Sequence, residues 1–221
     1  KIDDISIWSK ALSSTEVSNL YNSGSGTSLT GSSDLEGWWK MGDHSVLPVT
    51  HSGTATVSVG VTASASGTLL EAWGNDYSIS LDGTDDYLSI GNPSALQITG
   101  DMSIGMWFKT SSGSANRLIA KDGGGGQPRQ YVLLLLNNKL RWVRFNSSGT
   151  LFTIDSVDTY NDNAWHHVVV TNKSTGTIDM FVDGVQLTEG TGSGNYTVET
   201  TNGDDGITMN NASVDIEIGY F

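Results

Sequence analysis

The carboxylates are the first residues of this chain to consider for catalysis, because glycoside hydrolysis needs two of them at a set separation. No two of the six glutamates lie close together along the chain; they are Glu16, Glu36, Glu71, Glu189, Glu199 and Glu217. Asp215 and Glu217 share one face of a predicted strand, but a lone acidic pair is typical of a solvated surface. The sequence also lacks a Gly-x-Ser-x-Gly elbow and any cysteine, which nucleophilic serine and thiolate chemistry would need. We therefore predict that the chain is not an enzyme.

Two adjacent histidines, His166 and His167, are the next candidates. Side chains alternate along a strand, so His167 shares one face with Trp165 while His166 lies on the other. One of the two must point inward, and we predict a hydrogen-bonded core histidine beside an aromatic ring. A zinc site would need further ligands, and His44 and His51 show no ligand spacing.

Aromatic rings near loops are candidate stacking faces for sugars, although exposed aromatics are common on protein surfaces. Four lie at predicted strand ends or in predicted loops and are the candidate ligand-binding residues: Trp73, Tyr131, Tyr160 and Tyr196. Three tryptophans in apolar strands are predicted to be core residues: Trp107, Trp142 and Trp165. Residues 123–128 and 190–205 are the predicted long connections, and long loops often carry recognition.

Short strands joined by polar turns must position these side chains. Asp183-Gly184 between two alternating runs predicts a tight hairpin, because both turn residues need positive φ. Ser13 and Glu16 have capping-box spacing and predict a helix over residues 14–21. Strands recurring about every ten residues are typical of a sandwich or jelly roll. The predicted strands are 35–41, 54–61, 77–81, 87–90, 102–110, 117–121, 130–136, 139–145, 151–156, 165–172, 177–182 and 214–220.

Four segments together resemble the laminin G-like members of the concanavalin A-like lectin superfamily. One is Trp-His-His-Val at 165–168 followed by Ile-Asp-Met-Phe-Val-Asp-Gly at 178–184. The others are Leu-Asp-Gly-Thr-Asp-Asp-Tyr-Leu at 81–88, Met-Ser-Ile-Gly-Met-Trp-Phe-Lys at 102–109 and Arg-Leu-Ile-Ala-Lys at 117–121. The resemblance implies an all-β jelly-roll sandwich of two antiparallel sheets. It does not specify function, since the fold hosts lectins, adhesion modules, enzyme appendages and virion proteins. Enzymes of this superfamily such as laminarinases carry E-x-D-x-E or E-x-D-x-x-E, which this chain lacks.

The first thirteen residues resemble the last strand of such a domain, and the chain stops where the family continues into that strand. Three explanations stay open: a window on a tandem array, a circular permutant, or strand exchange between subunits. Each requires the leading strand to complete a sheet. The predicted assembly residues are therefore Ile2, Ile5, Ile7 and Trp8.

The predicted organisation follows from this displaced strand. Residues 1–24 are expected to supply the closing strand and short helix of a laminin G-like domain, belonging to this chain, a preceding copy or a neighbouring subunit. Residues 25–35 are expected to be a flexible linker. Residues 36–221 are expected to form the laminin G-like sandwich without its last strand.

Calcium is the cofactor that the resemblance implies, since calcium prefers hard oxygen ligands. Asp3 matches the position at which laminarinase-like relatives supply a carboxylate to a structural calcium, and Asp4 is the alternative. Laminin G domains and pentraxins bind calcium through acids in rim loops. The matching candidates here are Asp82, Asp85, Asp86 and Asp122.

The composition narrows the partners. The net charge of −13 argues against nucleic acids and anionic membranes, and the apolar runs are too short to cross a bilayer. We expect a non-catalytic extracellular recognition or adhesion module on a cell or virion surface, binding a glycan or a surface protein. The competing expectation is a structural repeat or subunit of a fibre, filament or virion surface. Such a unit would self-associate or occur in tandem copies joined by strand exchange.

Overall fold

The computed structural model describes residues 1–29, 31–40, 56–57, 78–81, 86–113, 115–124, 128–200 and 209–219, with only the backbone at 56–57 and 199–200. These residues form two β-sheets and one short α-helix, α1 (Ser14–Tyr21), which confirms the predicted fold class. The strands are β1 (Ile2–Trp8), β2 (Leu35–Trp39), β3 (Thr56–Val57), β4 (Leu88–Gly91), β5 (Met102–Phe108), β6 (Asn116–Asp122), β7 (Arg129–Leu136), β8 (Lys139–Phe145), β9 (Leu151–Thr159), β10 (His166–Asn172), β11 (Ile178–Val182), β12 (Val185–Gln186), β13 (Thr188–Glu189), β14 (Asn195–Thr200) and β15 (Ile216–Ile218).

The two sheets enclose a single large apolar core. One sheet has six strands in the order β12-β11-β10-β5-β1-β2, and the other has nine in the order β13-β14-β9-β8-β7-β6-β15-β4-β3. Ile104 and Val168 enter the core from the first sheet, and Leu133 and Trp142 enter it from the second. All four are buried, so the strands of both sheets bury one face by period-2 alternation.

Strand β1 lies inside the six-stranded sheet of its own chain. It pairs antiparallel with β5 on one side and with β2 on the other. This is the arrangement that a circularly permuted domain would have. The tandem-array and strand-exchange explanations stay predictions, because the structure describes one chain.

A bulge in β1 explains how its isoleucines reach one core. Ile2 and Ile5 are three positions apart, so in a regular strand they would face opposite sides of the sheet. The register against β5 shifts between Asp3 and Ser6, and Asp4 takes a φ of +44°. The extra residue turns both side chains inward, and they join Ile7 in the core.

Helix α1 covers the outer face of the six-stranded sheet. Ser13 caps the helix, and Glu16 reaches back to the Ser13 backbone, so the predicted capping box and helix are confirmed. Val17 is fully buried and packs with Trp8, Val169 and other apolar residues of the outer cluster. The outer face of this sheet is therefore a second, smaller core.

The Asp183-Gly184 turn joins β11 to β12 as predicted. Both residues have positive φ, +51° and +77°. A Cβ at Gly184 would stand 2.7 Å from Cδ1 of Tyr21, so this position requires glycine for two reasons.

Several predictions about segments differ from the structure. Leu29 is buried in the outer cluster, so the segment predicted as a flexible linker is anchored there. Residues 195–200 form β14 although they were expected to be a loop. Of the predicted strand 77–81, the described residues 78–81 form a bridge at Ile79 to Ile2 and no longer strand. Trp165, predicted to be core, is 38% exposed because it precedes β10 at the sheet margin.

Candidate functional site

A cleft opens at one end of the sandwich, where β1 begins, β5 ends and β6 begins. Its volume is about 380 Å³, which lies in the usual range of roughly 300–1,000 Å³ for ligand pockets. We call it the rim cleft, and it is lined by Lys1, Ile2, Leu81, Phe108, Lys109, Thr110, Ser111, Ser112, Ala115, Asn116, Arg117, Leu118 and Gly219.

The rim cleft combines apolar and polar walls. Ile2, Phe108 and Leu118 are buried members of the main core and lie beneath the cleft, where the partly buried Leu81 packs against them. The loop between β5 and β6 supplies hydroxyl and amide groups. Ser112 N–H donates to Thr110 Oγ1 at 3.0 Å, and Asn116 Nδ2 donates to the Ser112 carbonyl at 3.4 Å, so this loop carries its own hydrogen bonds.

The charged residues among the described lining of the rim cleft are basic. Lys1, Lys109 and Arg117 line it, and none of its described lining residues is acidic. Arg117 lies 3.5 Å from Asp122, whose carboxylate also accepts two hydrogen bonds from Arg129 at 2.6 and 2.9 Å. The charge of Arg117 is therefore partly balanced by Asp122.

Three of the four aromatics proposed as ligand-binding residues lie among the described residues, and each belongs to the main core or packs against it. Tyr131 is 1% exposed and stacks on Trp142 in the core at 5.5 Å between ring centroids, so its proposed stacking role is wrong. Strand β7 begins at Arg129, two residues before Tyr131, so Tyr131 lies within the strand and not at its end. Tyr160 is 9% exposed and meets His166 edge-on, and Tyr196 packs partly against the core. Trp73 lies outside the described residues.

The described aspartates that were proposed as calcium ligands either bind other groups of the protein or are buried. Asp3 and Asp4 form the β1 bulge, where Asp3 Oδ1 accepts from the Asp4 N–H and Asp4 Oδ1 accepts from Trp38 Nε1. The carboxylate of Asp122 binds Arg117 and Arg129. Asp86 is 2% exposed, while Asp82 and Asp85 lie outside the described residues. Within the described part of the chain, no three His, Cys, Asp or Glu residues group closely enough to hold a metal.

His166 joins two loops next to the rim cleft. Its Nδ1 lies 2.8 Å from Asp183 Oδ2, and its Nε2 lies 3.1 Å from Asp162 Oδ1. The hydrogen bond with Asp183 is the main reason why the pKa of His166 is raised. The His166 ring also packs on Phe108, which lines the cleft. We call His166, Asp162 and Asp183 the histidine clasp.

His167 lies on the opposite face and has a different environment. Its ring packs against both Trp107 and Tyr21, with centroids 4.9 and 6.2 Å away, and those two rings stack on each other at 5.7 Å. Burial beneath helix α1 lowers the pKa of His167 to about 4. Both histidines are thus sheltered, because the outer face of this sheet is covered as well as the inner one.

The carboxylates at β15 do not form an evident catalytic pair. Burial raises the pKa of Glu217, and Asp215 accepts a hydrogen bond from Ser89 Oγ at 3.4 Å. The negative charge of Asp122 also raises the pKa of Glu217, and the Asp122 carboxylate is itself bound by Arg117 and Arg129. The predicted solvated acidic face is therefore partly buried at Glu217.

Sequence reasoning missed Lys109, Asn116 and Arg117 as site residues. The signal was present as a polar run between two strands, Thr110 to Ala115, with Lys109 before it and Arg117 after it. Nothing local in the sequence shows that Lys1, more than 100 residues away along the chain, lies beside this loop.

Comparison with known families identifies the chain. A laminin G-type family model, described as concanavalin A-like lectin/glucanases superfamily, matches residues 82–213. The chain therefore belongs to this superfamily, and the resemblance of its motifs is confirmed. No match was found among curated proteins.

Solved structures with a similar fold include binding domains of clostridial toxins. The botulinum neurotoxin serotype D binding domain is 15% identical with a TM-score of 0.54, over 81% of this chain and 42% of that one. The same toxin's ligand-binding domain in complex with N-acetylneuraminic acid is 16% identical with a TM-score of 0.51, over 77% and 40%. The binding domain of Paraclostridial Mosquitocidal Protein 1 is 16% identical with a TM-score of 0.50, over 76% and 39%. This chain thus spans about two fifths of those domains, and the likeness shows the fold alone.

The described helices are too short or too polar to serve as a membrane span.

Proposed function

We propose that the domain is a non-catalytic recognition module that binds a surface glycan in the rim cleft. The observation that carries this proposal is the cleft itself, which combines the partly exposed Leu81 with the hydroxyl and amide groups of the loop between β5 and β6. Sugars present apolar ring faces together with many hydroxyls, so a cleft with both kinds of wall suits them. A few polar groups placed on an apolar wall are typical of ligand sites.

The similar structures support a binding role for the fold. They are binding domains of toxins, and one is a ligand-binding domain in complex with N-acetylneuraminic acid. We propose that this domain acts outside the cell, at a cell or virion surface, where its partner is a glycan or a glycan-bearing surface protein. Adhesion is the biological role that such binding would serve.

The non-catalytic part of the proposal rests on the acids. The two-carboxylate arrangement of glycosidases is not formed by Asp122, which is bound to two arginines, or by Asp215 and Glu217, which are two positions apart at the start of β15. We expect no release of reducing sugar from any polysaccharide that the domain binds. Sustained hydrolysis that Glu217→Gln abolishes would contradict this.

The proposal is tested by a glycan array followed by calorimetric titration with the best ligand. Ala115→Trp would fill the rim cleft and should abolish binding. Ser148→Trp, in the turn between β8 and β9, places the same side chain away from the cleft and should leave binding unchanged. The proposed function fails if no glycan binds, or if both variants bind the ligand as the wild type does.

Assembly by strand exchange stays a separate prediction. Strand β1 is hydrogen-bonded on both sides within one chain, so exchange would require opening this sheet and refilling it with the β1 of a neighbour. No observation in the structure favours that function over glycan binding.

A further inference from the structure

Helix α1 belongs to a segment that is fixed at both ends and lightly held between them. Leu12, before the helix, is buried, and its N–H donates to Ser103 Oγ at 2.9 Å. Leu29, after the helix, is buried in the outer cluster. Of the eight residues of α1 itself, only Val17 is buried. We call residues 13–28 the helix flap, a unit whose few buried contacts would let it open while the sandwich stays folded.

Tyr21, at the end of α1, closes the helix flap over His167. The Tyr21 ring stacks on Trp107 with the centroids 5.7 Å apart, and the His167 ring packs against both. Tyr21 Cδ1 lies 2.7 Å from the position that a Cβ would take at Gly184, so the ring lies directly against the β11–β12 turn. Under this cover His167 is 5% exposed.

The buried His167 ring has no acceptor for a second proton. Its Nδ1 is buried and has no hydrogen-bond partner. The imidazolium form carries an N–H on both ring nitrogens, so protonation would leave an unpaired N–H and a positive charge in a buried place. Both are costly away from water. Opening of the helix flap would let water solvate the ring and remove this cost.

The charged groups around His167 do not offset this cost. The Asp183 carboxylate is engaged elsewhere, since Oδ1 accepts from the His167 backbone N–H and Oδ2 lies beside His166 Nδ1, each at 2.8 Å. Further titratable groups on this face of the sheet are Tyr21 of α1, Asp3 opposite Trp107 on β1, and Lys1 and Lys109 at the strand ends. Burial outweighs the attraction of Asp183, which is why the pKa of His167 is lowered to about 4.

We propose that the helix flap is an acid-sensitive cover, which opens when His167 takes up a proton and thereby uncovers the outer face of the six-stranded sheet. The surface beneath it includes the apolar side chains of Trp107, Val169 and Phe181. An eight-residue helix is not stable in water on its own, so α1 should lose its backbone hydrogen bonds when the flap opens. The main core lies on the other side of this sheet and keeps its packing.

Amide hydrogen exchange followed by mass spectrometry at pH 7.5 and pH 5 measures this opening. The pKa of His167 is about 4 under the flap against an ordinary value of 6.5, so the open population should rise about 30-fold over this range. We expect the protection of the α1 amides to fall by that factor, after correction for the ordinary pH dependence of exchange. The α1 amides should also be at least about a hundredfold less protected than those of β7 and β8 at both pH values, because they open locally.

Variants at the two histidines assign the effect. His167→Phe keeps a ring beneath Tyr21 but takes up no proton, so the protection of α1 should be nearly equal at pH 7.5 and pH 5. His167→Gln, which is also neutral at both pH values, gives the same comparison with a smaller side chain. His166→Gln is the matched control, since His166 lies on the opposite face of β10, and it should keep the fall of about 30-fold.

Three results would overturn the proposal. The first is equal protection of the α1 amides of the wild type at the two pH values. The second is equal protection of α1, β7 and β8 at each pH, because α1 would then open only when the whole domain unfolds. The third is an undiminished pH dependence in both His167 variants, which would assign the proton to another group.

Discussion

His166 and His167 are consecutive residues that the fold places in opposite electrostatic environments. His166 lies between two carboxylates, which favour its charged form. His167 is buried beside the Trp107 and Tyr21 rings with its Nδ1 unpaired, and this environment favours its neutral form. The alternation of side chains along β10 is the cause of this difference.

His167 should make the protein less stable in mild acid. Its pKa is about 4 in the fold against an ordinary value of 6.5, so its contribution to stability is present above pH 6.5 and is lost as the pH falls towards 4. Between pH 7.5 and pH 5 we expect this single group to cost about 2 kcal/mol of unfolding free energy. The measurement is urea denaturation of the wild type and His167→Phe at both pH values. The prediction fails if the variant loses as much stability on acidification as the wild type.

His166 should show the reverse pH dependence. The pKa of His166 is raised in the fold. Its contribution to the free energy of unfolding is therefore fully present below pH 6.5, the ordinary pKa of histidine, and is lost as the pH rises through the raised pKa. The destabilisation caused by His166→Gln should therefore be larger at pH 5.5 than at pH 8.5. NMR titration of the His166 ring gives its pKa directly, and a value below 6.5 would rule out the clasp as described.

Tyr131 and Lys109 show what sequence reasoning could and could not reach at the residue scale. Tyr131 was placed at a strand end, but β7 begins two residues earlier and alternation turns the ring into the core. Lys109 became a site residue only through pairing with Lys1, a contact set by tertiary structure. Local patterns carry no information about such distant pairings.

At the scale of elements, prediction from sequence was more successful. The capping box and the Asp-Gly turn were identified because each depends on a few neighbouring residues. The β1 bulge was missed, since its signal is only the three-residue spacing of Ile2 and Ile5. Strand β14 was missed because its Thr- and Gly-rich surroundings are also typical of loops.

Ile5 should be one of the most sensitive positions of β1. It is fully buried in the main core, so Ile5→Ala should cost roughly 2–5 kcal/mol of unfolding free energy. Val185→Ala removes similar apolar atoms at a site that is 64% exposed and should change stability by less than about 0.5 kcal/mol. Chemical denaturation of both variants tests this, and equal losses would mean that β1 is not a core strand.

At the scale of the whole molecule, calcium remains a prediction that the resemblance implies. Binding to the folded protein alone would stabilise it by mass action. We therefore expect the melting temperature to fall in EDTA and to be restored by CaCl₂ but not by an equal concentration of MgCl₂. An unchanged melting temperature in EDTA would remove the calcium prediction for every proposed aspartate.

The central claim is that the first eight residues complete the sandwich of the same molecule. A Cβ at Gly105 would lie 3.0 Å from Ser6 Oγ across the β1–β5 pair, close enough for a disulfide between cysteines at these positions. The chain has no cysteine of its own, so the double variant Ser6→Cys/Gly105→Cys reports on this contact alone.

The decisive measurement is non-reducing electrophoresis of this double variant, with mass spectrometry of the cross-linked peptides. We predict that the disulfide forms within single chains and that the protein runs as a monomer, while Ser6→Cys alone keeps a free thiol. Disulfide-linked dimers or longer polymers would show that β1 belongs to a neighbouring molecule. Two free thiols in the folded double variant would show that β1 does not pair with β5, and either result would contradict this account.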